Sequence, residues 1–272
     1  MNTTKSLHKV FFVGAGPGNP DLITRAGWKA LNNADVILYD ALLDFEGFHE
    51  SAPKSKWINV GKRASKISIT QKFIGKILVN YSLKGLSVVR LKGGDTSVFG
   101  RISEEILALK KNGIPFEIIP GVTAASSAAA SLGVSLSKRN LSRSISFVTP
   151  AISKSSAVDN TWLDTVINSD TSIIYMSGRD RNEIAKLLIS KGMDPYCPIA
   201  VVENAGFNYG FKKILTLNEL AQSEIFKLEG PVCLIVGKVL LDSDYMKKHD
   251  LLQNISLHQD LNKKIENTCY GK

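Results

Sequence analysis

Residues 13–21 read Val-Gly-Ala-Gly-Pro-Gly-Asn-Pro-Asp, three glycines in five positions set between a short apolar run and an amphipathic one. Glycine tolerates positive φ and lets another group lie against bare main chain, so such a turn makes a sharp strand-to-helix junction and a docking surface. That junction commits the start of the chain to an α/β pattern. A dinucleotide loop needs G-x-G-x-x-G, and Asn19 stands where the last glycine belongs. Pro17 also removes an amide that a pyrophosphate would use and fixes φ at about −65°. Both residues weigh against a dinucleotide, and a plain connection without ligand stays open beside a ligand-holding turn.

The same alternation repeats downstream. A strand over Lys9 to Val13 leads into the turn, and a helix is predicted from Pro20, with Asn19 as N-cap and Leu22, Ile23, Ala26, Ala30 and Leu31 on one face. Strands follow at Asp35–Tyr39, Trp57–Val60, Leu86–Leu91 and Pro115–Ile119, with helices capped at Thr70 and starting near Ser103 between them. Alternating strands and helices imply a parallel sheet covered on both faces. Four strand ends run into glycine or charge: Gly14–Gly18, Asp40, Gly61–Arg63 and Gly93–Asp95. Ligands of open parallel sheets lie outside the C-terminal strand ends, so these stretches point to one site.

Pro120-Gly121-Val122 reads as a hinge, followed by a small-residue helix over Thr123–Leu132. Strands at Ser144–Thr149, Ser172–Met176, Ile199–Glu203 and Val232–Val236, a ribbon at Tyr209–Leu215, and helices at Thr161–Ile167, Asn182–Ser190 and Leu217–Phe226 suggest a mixed sheet. The expectation is two α/β domains, 8–119 with a mainly parallel sheet and 120–241 with a mixed one. Residues 242–272 form a polar tail without an apolar face, expected to be flexible.

A chain of 272 residues, 44% hydrophobic, is sufficient for two such cores. No apolar run approaches the roughly 20 residues of a membrane span, and the N-terminus does not read as a signal peptide, so a cytoplasmic location is expected. Cys197, Cys233 and Cys269 are far apart and the four histidines are scattered, which points to neither a disulfide framework nor a metal site. The formal charge of +9 favours an acidic partner: a nucleic acid, a polyanionic small molecule or an anionic membrane surface.

The motifs V-G-A-G-P-G-N-P-D-L-I-T, Y-D-A-L at Tyr39–Leu42, V-G-K-R-A at Val60–Ala64, R-L-K-G-G-D at Arg90–Asp95 and P-G-V-T-A-A-S at Pro120–Ser126 occur in order. With them the chain, from about Val10 to Leu240, resembles the tetrapyrrole methylase family. The resemblance implies a homodimer and S-adenosylmethionine held in a cleft between two α/β domains, leaving as S-adenosylhomocysteine. It also implies two ring-carbon methylations of uroporphyrinogen III, giving precorrin-2 for siroheme or cobalamin. Carried over by position, the cofactor contacts fall on Pro17, Gly93, Gly94, Asp95, Val98, Thr123, Ala124, Met176 and Ala205. Asp40 takes the place of a proton acceptor and Lys62 that of a proton donor. Because the implied substrate carries many carboxylates, Arg63, Arg101, Lys138 and Arg139 are its candidate anchors. A membrane partner is not expected, and nucleic acid is a weaker candidate than the tetrapyrrole.

Several positions depart from the family pattern. Ile67 stands where a His is usual, Gly93–Ser103 reads G-G-D-T-S-V-F-G-R-I-S, and Ser137–Asn140, Thr149–Ala151 and Leu215–Leu217 replace T-H-R-D, T-G-H and G-T-L. These changes lie mostly on the substrate side. A later corrinoid precursor or RNA therefore stays open as substrate within the family, and a nicotinamide- or flavin-dependent oxidoreductase outside it.

Overall fold

The computed structural model describes residues 8–40, 43–61, 71–150, 161–223 and 227–243. The expected tail beyond 243 lies outside them. The chain divides into two compact units, Met1–Ala124 with Gly206–Asn208, and Ala125–Ala205 with Tyr209–Lys272.

The first unit holds β1 (Val10–Gly14), α1 (Arg25–Asn32), β2 (Val36–Tyr39), α2 (Phe45–His49), β3 (Lys56–Asn59), α3 (Gln71–Leu83), β4 (Val88–Lys92), α4 (Ile102–Lys111) and β5 (Phe116–Ile119). The sheet order is β3-β2-β4-β1-β5, and every pair is parallel. Parallel strands need crossovers, and helices supply them on both faces. Alternate residues of each strand serve opposite faces. Val10, Phe12, Val36, Leu38 and Val88 pack with Ile74 and Leu78 of α3 and Ile102 and Leu109 of α4. Val13, Ile37, Val89 and Leu91 pack with Leu31 of α1 and Phe48 of α2 on the other face. Each such fully buried side chain contributes roughly 1.5–3 kcal/mol.

The segment after the glycine turn differs from expectation. Pro20–Leu22 forms only a 3-10 turn capped by Asn19, whose side chain accepts from the Asp21 amide. The α-helix starts afresh at Arg25, because the Thr24 hydroxyl accepts the Gly27 amide and Ile23 is extended. The short helix α2 was not expected; the Asp44 carboxylate caps it through the Gly47 amide.

The first unit also reaches past the expected boundary at 119/120. Gly121 donates its amide to Asp95, and the main chain of Gly206 accepts from the Asn19 amide, so both segments stay with the glycine turn.

In the second unit, α5 (Ala124–Leu132), β6 (Ile145–Val148), α6 (Thr161–Ile167), β7 (Thr171–Tyr175), α7 (Arg181–Ser190), β8 (Pro198–Glu203), β9 (Lys212–Thr216), α8 (Leu217–Gln222) and β10 (Val232–Val236) build a sheet of order β6-β7-β10-β8-β9. Only β6 and β7 run parallel; the other three pairs are antiparallel, so the sheet is mixed. Helices α6, α7 and α8 bury Leu163, Ile184 and Leu220 against one face. Ala125, Ala128 and Ala129 of α5 let that helix lie close on the other, beside Ile173, Ala200 and Ile235. A Thr216–Glu219 capping box starts α8.

Candidate functional site

Because the five strands of the first unit are parallel, β1, β2 and β4 deliver Gly14, Asp40 and Gly93 to the same edge of the sheet. Three main-chain segments interlock there. Gly16 and Gly94 exchange backbone hydrogen bonds of 3.2 and 2.7 Å, and the Ala15 amide donates to the Lys92 carbonyl. A Cβ on Gly14 would lie 2.6 Å from the Gly121 Cα and 2.8 Å from the Gly94 oxygen, so only glycine fits. The amides of Ala15, Gly16 and Asn19 are thus already engaged, and no α-helix begins directly after the turn. Both features remove the usual means of holding a pyrophosphate, as Pro17 and Asn19 suggested.

Gly93 and Gly94 behave differently. Gly94 has a φ of +69° with nothing within 4 Å of a Cβ position, and Gly93 meets only Leu43 at 3.8 Å. The space beside both residues is therefore open to a ligand, although the Gly94 amide and carbonyl are already bonded to Gly16. Asp95, read as a ligand acceptor, has structural partners: one carboxylate oxygen accepts the Ser97 amide at 2.7 Å and the other the Gly121 amide at 2.9 Å. It clamps the loop after β4 to the segment after β5 and retains lone pairs for a further donor. Val98 donates its amide to the Asp95 carbonyl in the same loop.

Behind this edge lies a buried ionic cluster that the sequence reading did not single out. Arg90 and Lys92 are two apart on β4, so both face α4, where Glu105 is fully buried. The Arg90 Nε donates to Glu105 at 3.1 Å, its terminal nitrogens to Asp40 at 2.5 Å and to the Leu91 carbonyl at 3.0 Å. The Lys92 ammonium sits 3.3 Å from Glu105 and 3.8 Å from Asp40. Burial, then the neighbouring Arg90, pulls the Lys92 pKa below the ordinary lysine value, while Asp40 and Glu105 oppose that shift. Two cations face two carboxylates, and Asp40 alone is open to solvent, its side chain 29% exposed against 1%, 5% and 0% for the others. The signal that could have found the cluster is two charges at alternate positions of an otherwise apolar strand.

Of the remaining candidates in this unit, Pro17 packs closely on Gly206, and Thr123 and Ala124 lead into α5. Arg101 has a left-handed φ of 54° at the start of α4 and is already paired with Glu104 at 2.6 Å. Such a backbone costs a non-glycine residue roughly 1–2 kcal/mol. Lys62 and Arg63 lie outside the described residues.

In the second unit, Met176 directly follows β7 with a φ of 53° and a side chain mostly in solvent. Ala205 is buried in the core with α5, so its methyl is not open to a ligand and only its main chain remains for one. Lys138 pairs with Asp242 at 2.6 Å, and Arg139 is exposed.

Residues 9–221 match the family described as Tetrapyrrole (Corrin/Porphyrin) Methylases. The chain belongs to that family. Among curated relatives, a uroporphyrinogen-III C-methyltransferase of Bacillus subtilis (strain 168) is 35% identical over 260 residues, 95% of this chain and 100% of the relative. A siroheme synthase of Hahella chejuensis is 37% identical over 247 residues, but the chain spans only 52% of that protein. Among solved structures, the uroporphyrin-III C-methyltransferase of Thermus thermophilus complexed with S-adenyl homocysteine matches with a TM-score of 0.72 at 34% identity. That match covers 86% of this chain and 99% of the other. A cobalt precorrin-4 methyltransferase matches with a TM-score of 0.76 at 26% identity, over 88% and 99% of the two chains.

Proposed function

We propose that this protein is an S-adenosylmethionine-dependent C-methyltransferase that converts uroporphyrinogen III to precorrin-2 by methylating two ring carbons. The observation that carries this reading is the match to the B. subtilis enzyme over that protein's whole length. Siroheme or cobalamin synthesis is the pathway context it gives. A homodimer in the cytoplasm, acting on a tetrapyrrole polycarboxylate, completes the proposal, and the formal charge of +9 suits such an anion.

The chain's residues fit the cofactor. The open space beside Gly93 and Gly94 lets its amino-acid part approach that loop, Asp95 has lone pairs left for an ammonium or a hydroxyl, and the exposed Met176 offers a polarizable sulfur to an adenine. Pro17, Val98, Thr123, Ala124 and the main chain of Ala205 are assigned to the same role. Bound S-adenosylmethionine supplies an electrophilic methyl group, released as the sulfonium sulfur takes back the bonding pair.

The protein's part is to hold an electron-rich ring carbon in line with that methyl and to take away a proton. A ring carbon that has gained a methyl leaves a cationic, acidic π-system, so a weak base is enough. Asp40, a carboxylate at the open edge, accepts that proton, and Lys62 donates where one is needed. Arg63, Arg101, Lys138 and Arg139 anchor substrate carboxylates, with Arg101 exchanging Glu104 for one of them. Replacing Asp40 by Asn is expected to lower turnover at least tenfold while leaving S-adenosylhomocysteine affinity within about threefold, measured by calorimetry beside initial rates. An unchanged rate removes Asp40 from the mechanism.

The likeness to a cobalt precorrin-4 methyltransferase supports a second reading, methylation of a later corrinoid precursor. Turnover of such a precursor in preference to uroporphyrinogen III would select it.

A further inference from the structure

Asp40 directly follows β2, and among the described residues the group that bonds its carboxylate is Arg90 of β4, itself held by Glu105 of α4. Arg90 reaches Asp40 with one end of its guanidinium and Glu105 with the other, and Lys92 lies between the same two carboxylates. Arg90 is fixed further by the carbonyls of Leu38 and Leu91. The cluster is therefore a buried frame of three groups with one carboxylate projecting to the edge.

Among the described residues, the charges of this cluster balance only while Asp40 is ionised. When it takes a proton, two buried cations face Glu105 alone, an arrangement that low-dielectric surroundings penalise. The protonation state of Asp40 and the charges of Lys92 and Glu105 are consequently coupled. Lys92 favours the Asp40 anion, whereas Glu105 opposes it, both directly and by competing for Arg90 and Lys92.

We propose that Lys92 and Glu105, with Arg90, are positioning residues that aim the Asp40 carboxylate at the open edge and set the pH range in which it can accept a proton. This rests on the reading of Asp40 as proton acceptor. The charged groups facing it in the described residues are Arg90 and Lys92 from β4 and Glu105 from α4. None of the three needs to touch substrate.

Two near-isosteric replacements separate this role from a merely structural one, because they shift Asp40 in opposite directions. Lys92→Met removes a cation, so the Asp40 titration is expected to move up. Glu105→Gln removes the competing anion, so Asp40 is expected to titrate lower. The titration is read from 13C-carboxyl NMR of aspartate-labelled full-length protein, with Asp40→Asn identifying the signal. The acid limb of the pH profile of kcat/KM for methyl transfer to uroporphyrinogen III is expected to move with it, a rate change of about tenfold per unit on that limb.

Shifts of both the NMR titration and the acid limb in these opposite directions support the proposal. A titration that stays put in both variants, or moves the same way in both, overturns it, as does an acid limb that ignores a moved titration. If Glu105→Gln does not fold, the upward shift expected of Lys92→Met, or its absence, decides alone. A wild-type protein whose Asp40 signal responds as expected but which transfers no methyl group contradicts the proposed function and leaves the electrostatic coupling of the frame standing.

Discussion

Cysteine chemistry illustrates how single residues take their properties from the sheet that holds them. Burial pushes the thiols of Cys197 and Cys233 up to about 12, so both remain protonated and unreactive near neutral pH. Iodoacetamide at pH 8 is expected to leave both unmodified in the folded protein and to alkylate both in guanidinium, as peptide mass mapping would show. Labelling of Cys233 in the native state would contradict its place in the core. Arg90 and Lys92 show the opposite case, polar groups kept inside. Their identities stood in the sequence, but their burial depends on Glu105, which lies 15 residues beyond Arg90 on another element. Removing Glu105 outright, as Ala, leaves two buried cations short of a partner, which typically costs about 3–5 kcal/mol.

At the scale of elements, apolar periodicity and caps carry most of the legible information. The strands Val232–Val236 and Pro198–Glu203 and the helix Thr161–Ile167 follow directly from β-branched runs and amphipathic spacing. The turn after β1 was less legible, because Asn19 and Thr24 both offer cap side chains and only packing decides which one starts the α-helix. Helix α2 was missed since five residues give too little periodicity, and Asp44 alone signals it. Parallel pairing of β6 with β7 depends on another long-range cap. The exposed Asp170 carboxylate accepts the amides of Arg143 and Ser144 and the Ser144 hydroxyl at 2.8–2.9 Å, fixing the register at the start of both strands.

Those hydrogen bonds lower the Asp170 pKa below its ordinary 3.8. A depressed carboxylate adds stability above its unfolded pKa and loses that contribution as pH falls through the folded one. Asp170→Ala is therefore expected to melt below wild type at pH 7. The difference should shrink as pH falls through 3.8 and vanish below the depressed value, a trend that melting curves across pH 2–7 would follow. A gap of equal size at every pH would assign the residue a role independent of its charge.

At the scale of the whole molecule, each unit closes around its own sheet, and two α/β patterns were legible because Pro120-Gly121 interrupts the strand-helix rhythm. What the rhythm did not reveal is that Gly121 and Gly206 return to the glycine turn, since those are main-chain contacts that leave no mark on side-chain patterning. Motif identity nominates Asp40, Gly93 and Gly94 as candidates but conceals the structural hydrogen bonds of Asp95 and the burial of Ala205. The likeness over the full length of a uroporphyrinogen-III C-methyltransferase joins these parts into one proposed activity. Incubating the purified protein with enzymatically generated uroporphyrinogen III and S-adenosylmethionine, and weighing the product by mass spectrometry, tests that activity most directly. A product heavier by two methyl groups is the predicted result, and recovery of uroporphyrinogen III unchanged in mass would contradict it.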